Sequence, residues 1–560
     1  MKNCVTFTKG WREKANLHHM NTQAIRRPPV ETLLFYAILG LSLLPVLVCD
    51  YIVTADGPCH FYNSHILVRW LLDGEGEFYQ PWLQLNQYLD PNWITNLIQI
   101  PLLKLFPALW AEKLFFALYL LVFSFGFRSV VREVRSESAF LAGIGTLFAW
   151  NYILVKGFTN NAWSIALWFW ILAFWLRSFR KPTYASYGVI TLLFMLEYLS
   201  HPVGLVFSIL SVGCVVLGFA LYHLRAKGWG TTLKWVLTEA GKLMLCSALP
   251  ICLFISFFMR REWSAETTHF SWRDIGRDLI ELRSLNILSF WEEPWLIALV
   301  CLMFLLFVWA LITRFRDRLW SRHDGLLLLL VLAIVVVFNP PSGIAGGLDI
   351  GVRLGMFPFF CLLFWSATSF YDRRIRIGAS LLTLVMTIGL TVIRLPIHRE
   401  ASDYAREVMT VSDSIRNQSS VLVLNYDWGG QDRDGKVISE RMWLFGHVDG
   451  YLGTNKDLIL SDNYEANFWY FPLVERWQTN MYMQTDKDQI NFDNRPPRAD
   501  INSYKRRTGQ QIDYVLMLSY RDEFADHPYT HEIFDQLNAE FKKVYTSDRG
   551  RAVLYHRTVY

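Results

Sequence analysis

Charge and reactive cysteine are what this chain has little of. Only 18% of its 560 residues are charged, and no run of Lys and Arg with interleaved aromatics suggests a nucleic-acid partner. There are eight cysteines, most of them inside apolar runs where a thiol behaves as a small hydrophobe. No CxxC spacing occurs and none follows Cys361, so neither a disulfide framework nor a thiolate metal site is expected. Nucleophile elbow, phosphate loop and H-E-x-x-H helix are absent as well, which leaves the C-terminal part without a recognisable catalytic motif of its own.

What is present is apolar and aromatic, 53% and 16% of the chain, gathered into long blocks up to about residue 394. A crossing helix needs about 20 such residues, and about eleven blocks qualify in length or nearly so. They are 32–50, 109–127, 139–155, 161–177, 184–200, 202–222, 238–259, 294–313, 324–338, 352–370 and 376–394. The fold class expected is therefore a polytopic all-α membrane domain over 32–394, behind a basic N-terminal segment 1–31. A soluble α/β or α+β domain is expected over 395–560. The strand readings there are SSVLVLNYDW, QIDYVLMLSY and a hairpin turning near Asp548–Gly550.

Basic residues concentrate on the cytoplasmic side of membrane proteins. They recur after alternate blocks, at Arg128/Arg132/Arg135, Arg177/Arg180/Lys181, Arg225/Lys227/Lys234, Arg314/Arg316/Arg318 and Arg373/Arg374/Arg376. This predicts a cytoplasmic N-terminus and an extracytoplasmic C-terminal domain. The mixed segment 260–293 is the exception, with several arginines outnumbered by acids. On the outer side the same assignment gathers TADGPCH, KGFTNN, SHP and SGIAGGLDIGVR.

The first outer loop, 51–108, is longer than a connector requires. Two amphipathic stretches in it, HFYNSHILVRWLLDG and NWITNLIQIPLLKLF, read as helices lying along the membrane surface. Asp56 precedes the first of them. It serves either as an ordinary helix cap, with His60 a polar residue of the first turn, or as an acid held beside a wet cavity.

Asp56, Pro58 and His60, directly after an N-in first span and ahead of a long first loop, resemble the GT-C superfamily of polyprenyl-phosphate-dependent glycosyltransferases. The D-x-P-x-H spacing looks like the D-x-x-x-H variant of some bacterial members, without the second adjacent acid of the arabinose and mannose transferases. The resemblance implies an enzyme, a hexosyl- or pentosyltransferase in the cell envelope, at the inner membrane if bacterial. Its donor would be a polyprenyl-phosphate-linked sugar and its acceptor an unknown glycan, lipid or protein, with membrane lipids around it. Asp56 is then the general base, with His60 beside it. No cofactor is certain, and a divalent metal is compatible.

Cations for the donor phosphate would come from Arg353, Arg260, Arg261 and Lys156, each of which also reads as an interfacial snorkelling side chain. Glu197 and His201 share a helix face and would line the acceptor site, bind a metal or satisfy each other. Asn160 and Asn161 would hydrogen-bond sugar hydroxyls or shape a turn, and Asp349 is a second acid or a cap. A transporter or flippase and a non-catalytic scaffold are the alternatives. The first places ionisable groups near the midplane and repeats its halves, neither of which the sequence shows; the second gives no reason for the long first loop. Reporter fusions test the sidedness: a periplasm-dependent reporter placed after residue 75 should be active, and one placed after residue 135 inactive.

Overall fold

The computed structural model describes residues 29–260, 271–317, 321–339, 350–432, 434–485 and 496–558. All the apolar blocks lie on helices. Among the described residues six helices are long and apolar enough to cross a membrane: Val30–Val48, Ala108–Val134, Pro202–Lys227, Trp229–Met259, Phe290–Arg316 and the Arg373–Ser414 segment. The protein is an integral membrane protein. Two expected spans are broken. The block 139–155 forms Leu141–Leu147 and Tyr152–Lys156, with Asn151 capping the second through Leu154 N–H at 2.9 Å. The block 352–370 forms Ile350–Leu354 and Phe357–Ser366. Both Leu141–Leu147 and Phe357–Ser366 are buried along nearly their whole length. A helix wrapped by other helices has its backbone satisfied within protein and does not need membrane-spanning length.

The basic segments converge on one end of the bundle. There Arg177 meets Glu133 (2.9 Å), Arg376 meets Glu31 (3.5 Å), and Arg135 lies over Phe370 (3.6 Å). The sheet-bearing domain covers the other end. Helix Arg373–Met409 runs through the expected boundary at residue 394 without a break and carries the chain into that domain.

Strands β1 (Leu83–Leu85), β2 (Ser419–Asn425), β3 (Leu458–Leu460), β4 (Leu473–Glu475), β5 (Tyr514–Leu518), β6 (Phe541–Thr546) and β7 (Ala552–Arg557) form two sheets. The larger has the order β3-β2-β5-β7-β6, parallel across β3-β2-β5 and antiparallel across β5-β7-β6. β2 and β5 are buried throughout, as expected of parallel strands covered on both faces, and both coincide with the apolar runs read from sequence. The smaller sheet pairs β1, from the first loop, with β4 of the C-terminal domain in antiparallel register, Leu83 opposite Glu475.

That pairing announces the main departure from expectation. Helix Gly57–Leu67 does not lie on a membrane surface: ten of its eleven residues are buried, all but His65. It is clamped between the bundle and the C-terminal 3-10 turn Val448–Thr454. The surface reading failed because periodicity marks an apolar stripe but does not tell which partner covers the polar side. Glycine makes the clamp possible. A Cβ on Gly450 would lie 2.6 Å from the Pro58 carbonyl carbon, and one on Gly453 2.1 Å from the Tyr62 ring. The Gly450 contact is with backbone and has no rotamer that relieves it. Gly450→Val should therefore destabilise the docked domain by about 2 kcal/mol. Thermal unfolding and limited proteolysis of the detergent-solubilised protein would show it.

Candidate active site

Asp56 is fixed through its backbone by both sides of the junction. The chain leaves Val30–Val48 extended, with the N–H groups of Asp50 and Tyr51 donating to Ser402 Oγ (3.1 Å each) and that of Ile52 to Glu112 Oε2 (3.2 Å). Ala55 N–H and Asp56 N–H then donate to the carbonyls of Val155 (3.0 Å) and Lys156 (3.1 Å). Gly157 turns away at φ +90°, where a Cβ would meet Asp56 N at 2.6 Å, so this position requires glycine both for its conformation and for its closeness. Asp56 occupies the N-cap position of Gly57–Leu67 but makes no capping bond; Thr54 Oγ1 accepts from Gly57 N–H instead, at 3.1 Å. The carboxylate is thereby left for other work, in a residue only 6% exposed.

Two imidazole–carboxylate pairs flank it, and the C-terminal domain supplies a member or the whole of each. His60 Nδ1 pairs with Glu465 Oε1 at 2.8 Å. Asn63 Nδ2 donates to Glu465 Oε2 (2.6 Å) and to Asn463 Oδ1 (2.9 Å), and Asn463 Nδ2 returns a bond to Asn63 Oδ1 (2.7 Å). His447 lies with Nδ1 3.4 Å from Asp462 Oδ1 and Nε2 3.9 Å from Asp56 Oδ1. Its ring stacks on Tyr464 at 4.7 Å.

The electrostatics follow from this acid surplus. Burial disfavours both imidazolium ions. At His60 the charge and hydrogen bond of Glu465, with Asp56 adding, outweigh burial and raise the proton affinity above the ordinary histidine range. At His447 burial is overcome by Asp462, then Asp56 and Asp449, and the ring is pushed up to about 9. His447 is therefore a cation at neutral pH, beside an acid that can take a proton.

The cation candidates separate. Arg353 stacks on Phe158 at 3.8 Å, and Phe158 directly follows Gly157, so this guanidinium joins the Asp56 turn; Lys156 lies in the same turn. Arg283 lies over Tyr152 (5.4 Å) and Arg441 over Phe290 (4.6 Å). Burial, and then the charge of Arg283, hold Arg441 below the usual guanidinium range, which places the two cations near each other. Arg260 is engaged elsewhere. It forks onto fully buried Asp90 (Nη1 to Oδ2, 3.2 Å) and stacks on Tyr88 (3.9 Å), locking the end of Trp229–Met259 to the first loop.

Asn160 Oδ1 accepts Thr95 N–H (3.0 Å) and so positions helix Ile94–Leu105; that oxygen serves the fold. Asn161 follows it, half-buried. Glu197, fully buried, accepts from Ser164 Oγ at 2.7 Å, and His201 joins the helices Tyr184–Ser200 and Pro202–Lys227. Ser164 belongs to Thr159–Ser178, so Glu197 ties that helix to Tyr184–Ser200. Arg261 and Asp349 lie outside the described residues. Among the described residues no three His, Cys, Asp or Glu side chains are grouped to hold a metal ion.

His447, Asp462 and Glu465 are functional candidates that the sequence reading passed over. Two signals bear on them. Gly446, Gly450 and Gly453 recur in GHVDGYLG, as a close backbone approach requires. The polar run SDNYEAN follows β3, and in parallel sheets ligands gather beyond the carboxyl ends of the strands.

The His60–Glu465 pair carries a pH signature. A histidine whose proton affinity rises on folding contributes stability that is fully present below its unfolded value of about 6.5 and is lost as pH climbs through the higher folded value. Thermal unfolding should thus occur at lower temperature as pH moves from neutral to alkaline. Glu465→Gln should be less stable at neutral pH and show a shallower alkaline decline.

No protein-family model matches the chain, and no curated protein does. Among solved structures, ArnT from Cupriavidus metallidurans bound to undecaprenyl phosphate is similar over 94% of this chain and 97% of its own, with TM-score 0.52 and 12% identity. The apo form of the same protein matches over the same shares at TM-score 0.49 and 12% identity. At this identity the likeness is one of fold. The fold this chain adopts is ArnT-like, along nearly the whole length of both chains.

Proposed function

We propose that the protein is a membrane glycosyltransferase that moves a sugar from a polyprenyl-phosphate donor to an acceptor at the extracytoplasmic face. Asp56 acts as the general base. The observation that carries this reading is a carboxylate fixed by backbone hydrogen bonds at the junction of a membrane bundle and a soluble domain, and spared the capping role its position would suggest. The likeness in fold to a protein bound to undecaprenyl phosphate supports the donor class. The segments are assigned as a cytoplasmic 1–31, a GT-C-like membrane domain 32–394 with the long outer loop 51–108, and an extracytoplasmic domain 395–560.

The layout suits the chemistry. A prenyl-linked sugar keeps its tail in the bilayer and its phosphate at the interface, so transfer belongs at one end of the bundle. The acceptor oxygen attacks the anomeric carbon as the bond to the phosphate oxygen breaks. The acceptor proton passes to Asp56 and the electron pair leaves with the phosphate. Arg353, with Arg283 and Arg441 on neighbouring elements, supplies positive charge for that leaving group. A single displacement of this kind inverts the anomeric configuration.

Asp56→Asn keeps the shape and removes the proton acceptor. With undecaprenyl-phosphate-linked pentoses and hexoses as donors and native membranes as the acceptor source, it should release undecaprenyl phosphate about 1,000-fold more slowly than the parent protein. Unfolding temperature and donor binding should change little. Release at an undiminished rate would rule Asp56 out as the base.

A further inference from the structure

Resting on the transferase reading, we infer that His447, delivered by the C-terminal domain, is the positioning cation of Asp56, and that transfer requires it in its protonated form. The geometry is that of a relay held from behind. Asp462, two residues past β3, faces one ring nitrogen at 3.4 Å, and the other nitrogen is aimed at Asp56 Oδ1 across 3.9 Å. Tyr464 fixes the ring plane by stacking at 4.7 Å. Both ring nitrogens therefore face carboxylates, and Tyr464 covers a face of the ring.

The separation from Asp56 is too long for a direct hydrogen bond and short enough for strong attraction inside protein. An imidazolium at that distance attracts and orients the carboxylate without occupying the lone pair that must receive the acceptor proton. Direct bonding, as His60 makes with Glu465, would compete for that lone pair. The distance itself thus distinguishes the two histidines: His60 braces the helix and His447 serves the acid.

Every titratable group found facing His447 is acidic or phenolic. Asp462 comes from the segment after β3, Asp56 from the start of the first loop, Asp449 from its own turn and Tyr464 from the stacked face. Because the C-terminal domain supplies this cation, that domain is part of the site, and the clamp at Gly450 is what aligns it.

The test uses the full chain in nanodiscs. Nitrogen NMR with labelled histidine should show His447 losing its proton near pH 9 in the parent protein. In Asp56→Asn that midpoint should fall by about one pH unit. Release of undecaprenyl phosphate from the donors named above should decline on the alkaline side as His447 deprotonates. His447→Gln should be at least about tenfold slower and lack that alkaline limb, and His447→Lys should restore part of the rate with the limb moved to higher pH.

A His447 midpoint in the ordinary histidine range, or one indifferent to Asp56→Asn, overturns the inference. So does an alkaline limb that persists in His447→Gln. If the parent protein releases nothing, the transfer reading fails and the assigned role with it; a midpoint still shifted by Asp56→Asn would then show that the pair itself stands.

Discussion

A helix buried over ten of its eleven residues needs partners for the polar side chains it carries, and Gly57–Leu67 draws most of them from two domains at once. Ser64 donates to Gln99 (2.7 Å) and Asn96 donates to Ser64 (2.9 Å), both from the neighbouring helix of the first loop. His60, Asn63 and Cys59 are answered by Glu465 and Asn463 of the C-terminal domain. Tyr62 donates to the Leu458 carbonyl (2.8 Å) and accepts from Leu460 N–H (3.1 Å), joining the helix to β3 itself. An unmade bond in such a place costs about 1–3 kcal/mol, so the helix holds its polar residues only while both layers are docked. The position of Asp56, at its N-terminus, inherits that dependence.

Ion pairs at the edges of the clamp repeat the pattern. Asp457, beside β3, is met by His65 (3.3 Å), Arg69 (3.0 Å) and Tyr79 (2.9 Å) of the first loop, and these partners hold its carboxyl well below the usual range against the effect of burial. Arg394 donates to Glu292 at 2.6 Å and reaches the Leu285 carbonyl, while Glu292 also gathers the N–H groups of Ile287, Leu288 and Ser289. Such buried pairs add little stability over an apolar core but tolerate no loss of one partner. They act as registration pins, fixing how far helix Arg373–Met409 and the loop before Phe290 slide past each other.

Much of this was legible in the chain. The apolar blocks found the helices, the alternating arginines found one end of the bundle, and SSVLVLNYDW and QIDYVLMLSY announced two buried strands, whose parallel pairing only the structure gives. The acid after the first span pointed to the fold. Asp56 and Arg353 were suspected together because both adjoin polar turns, and Arg353 stacks on Phe158 beside the Gly157 turn. Arg260 and Asn160 were suspected for the same reason and are found bonded to Asp90 and to Thr95 N–H, since a polar residue at an interface looks alike whether it meets a ligand or another loop.

The sequence by itself determined the membrane class, the alternation of basic segments and the place where an acid interrupts an apolar chain. These are local facts, written in hydropathy and charge over stretches of about 20 residues. Only the tertiary structure decided that the first loop is an interior helix and that His447 stands beside Asp56. These residues are separated by nearly four hundred positions, and periodicity records which face of an element is apolar, never which distant segment will cover it. Here the covering segment comes close enough only because Gly157, Gly450 and Gly453 carry no side chain to keep it away.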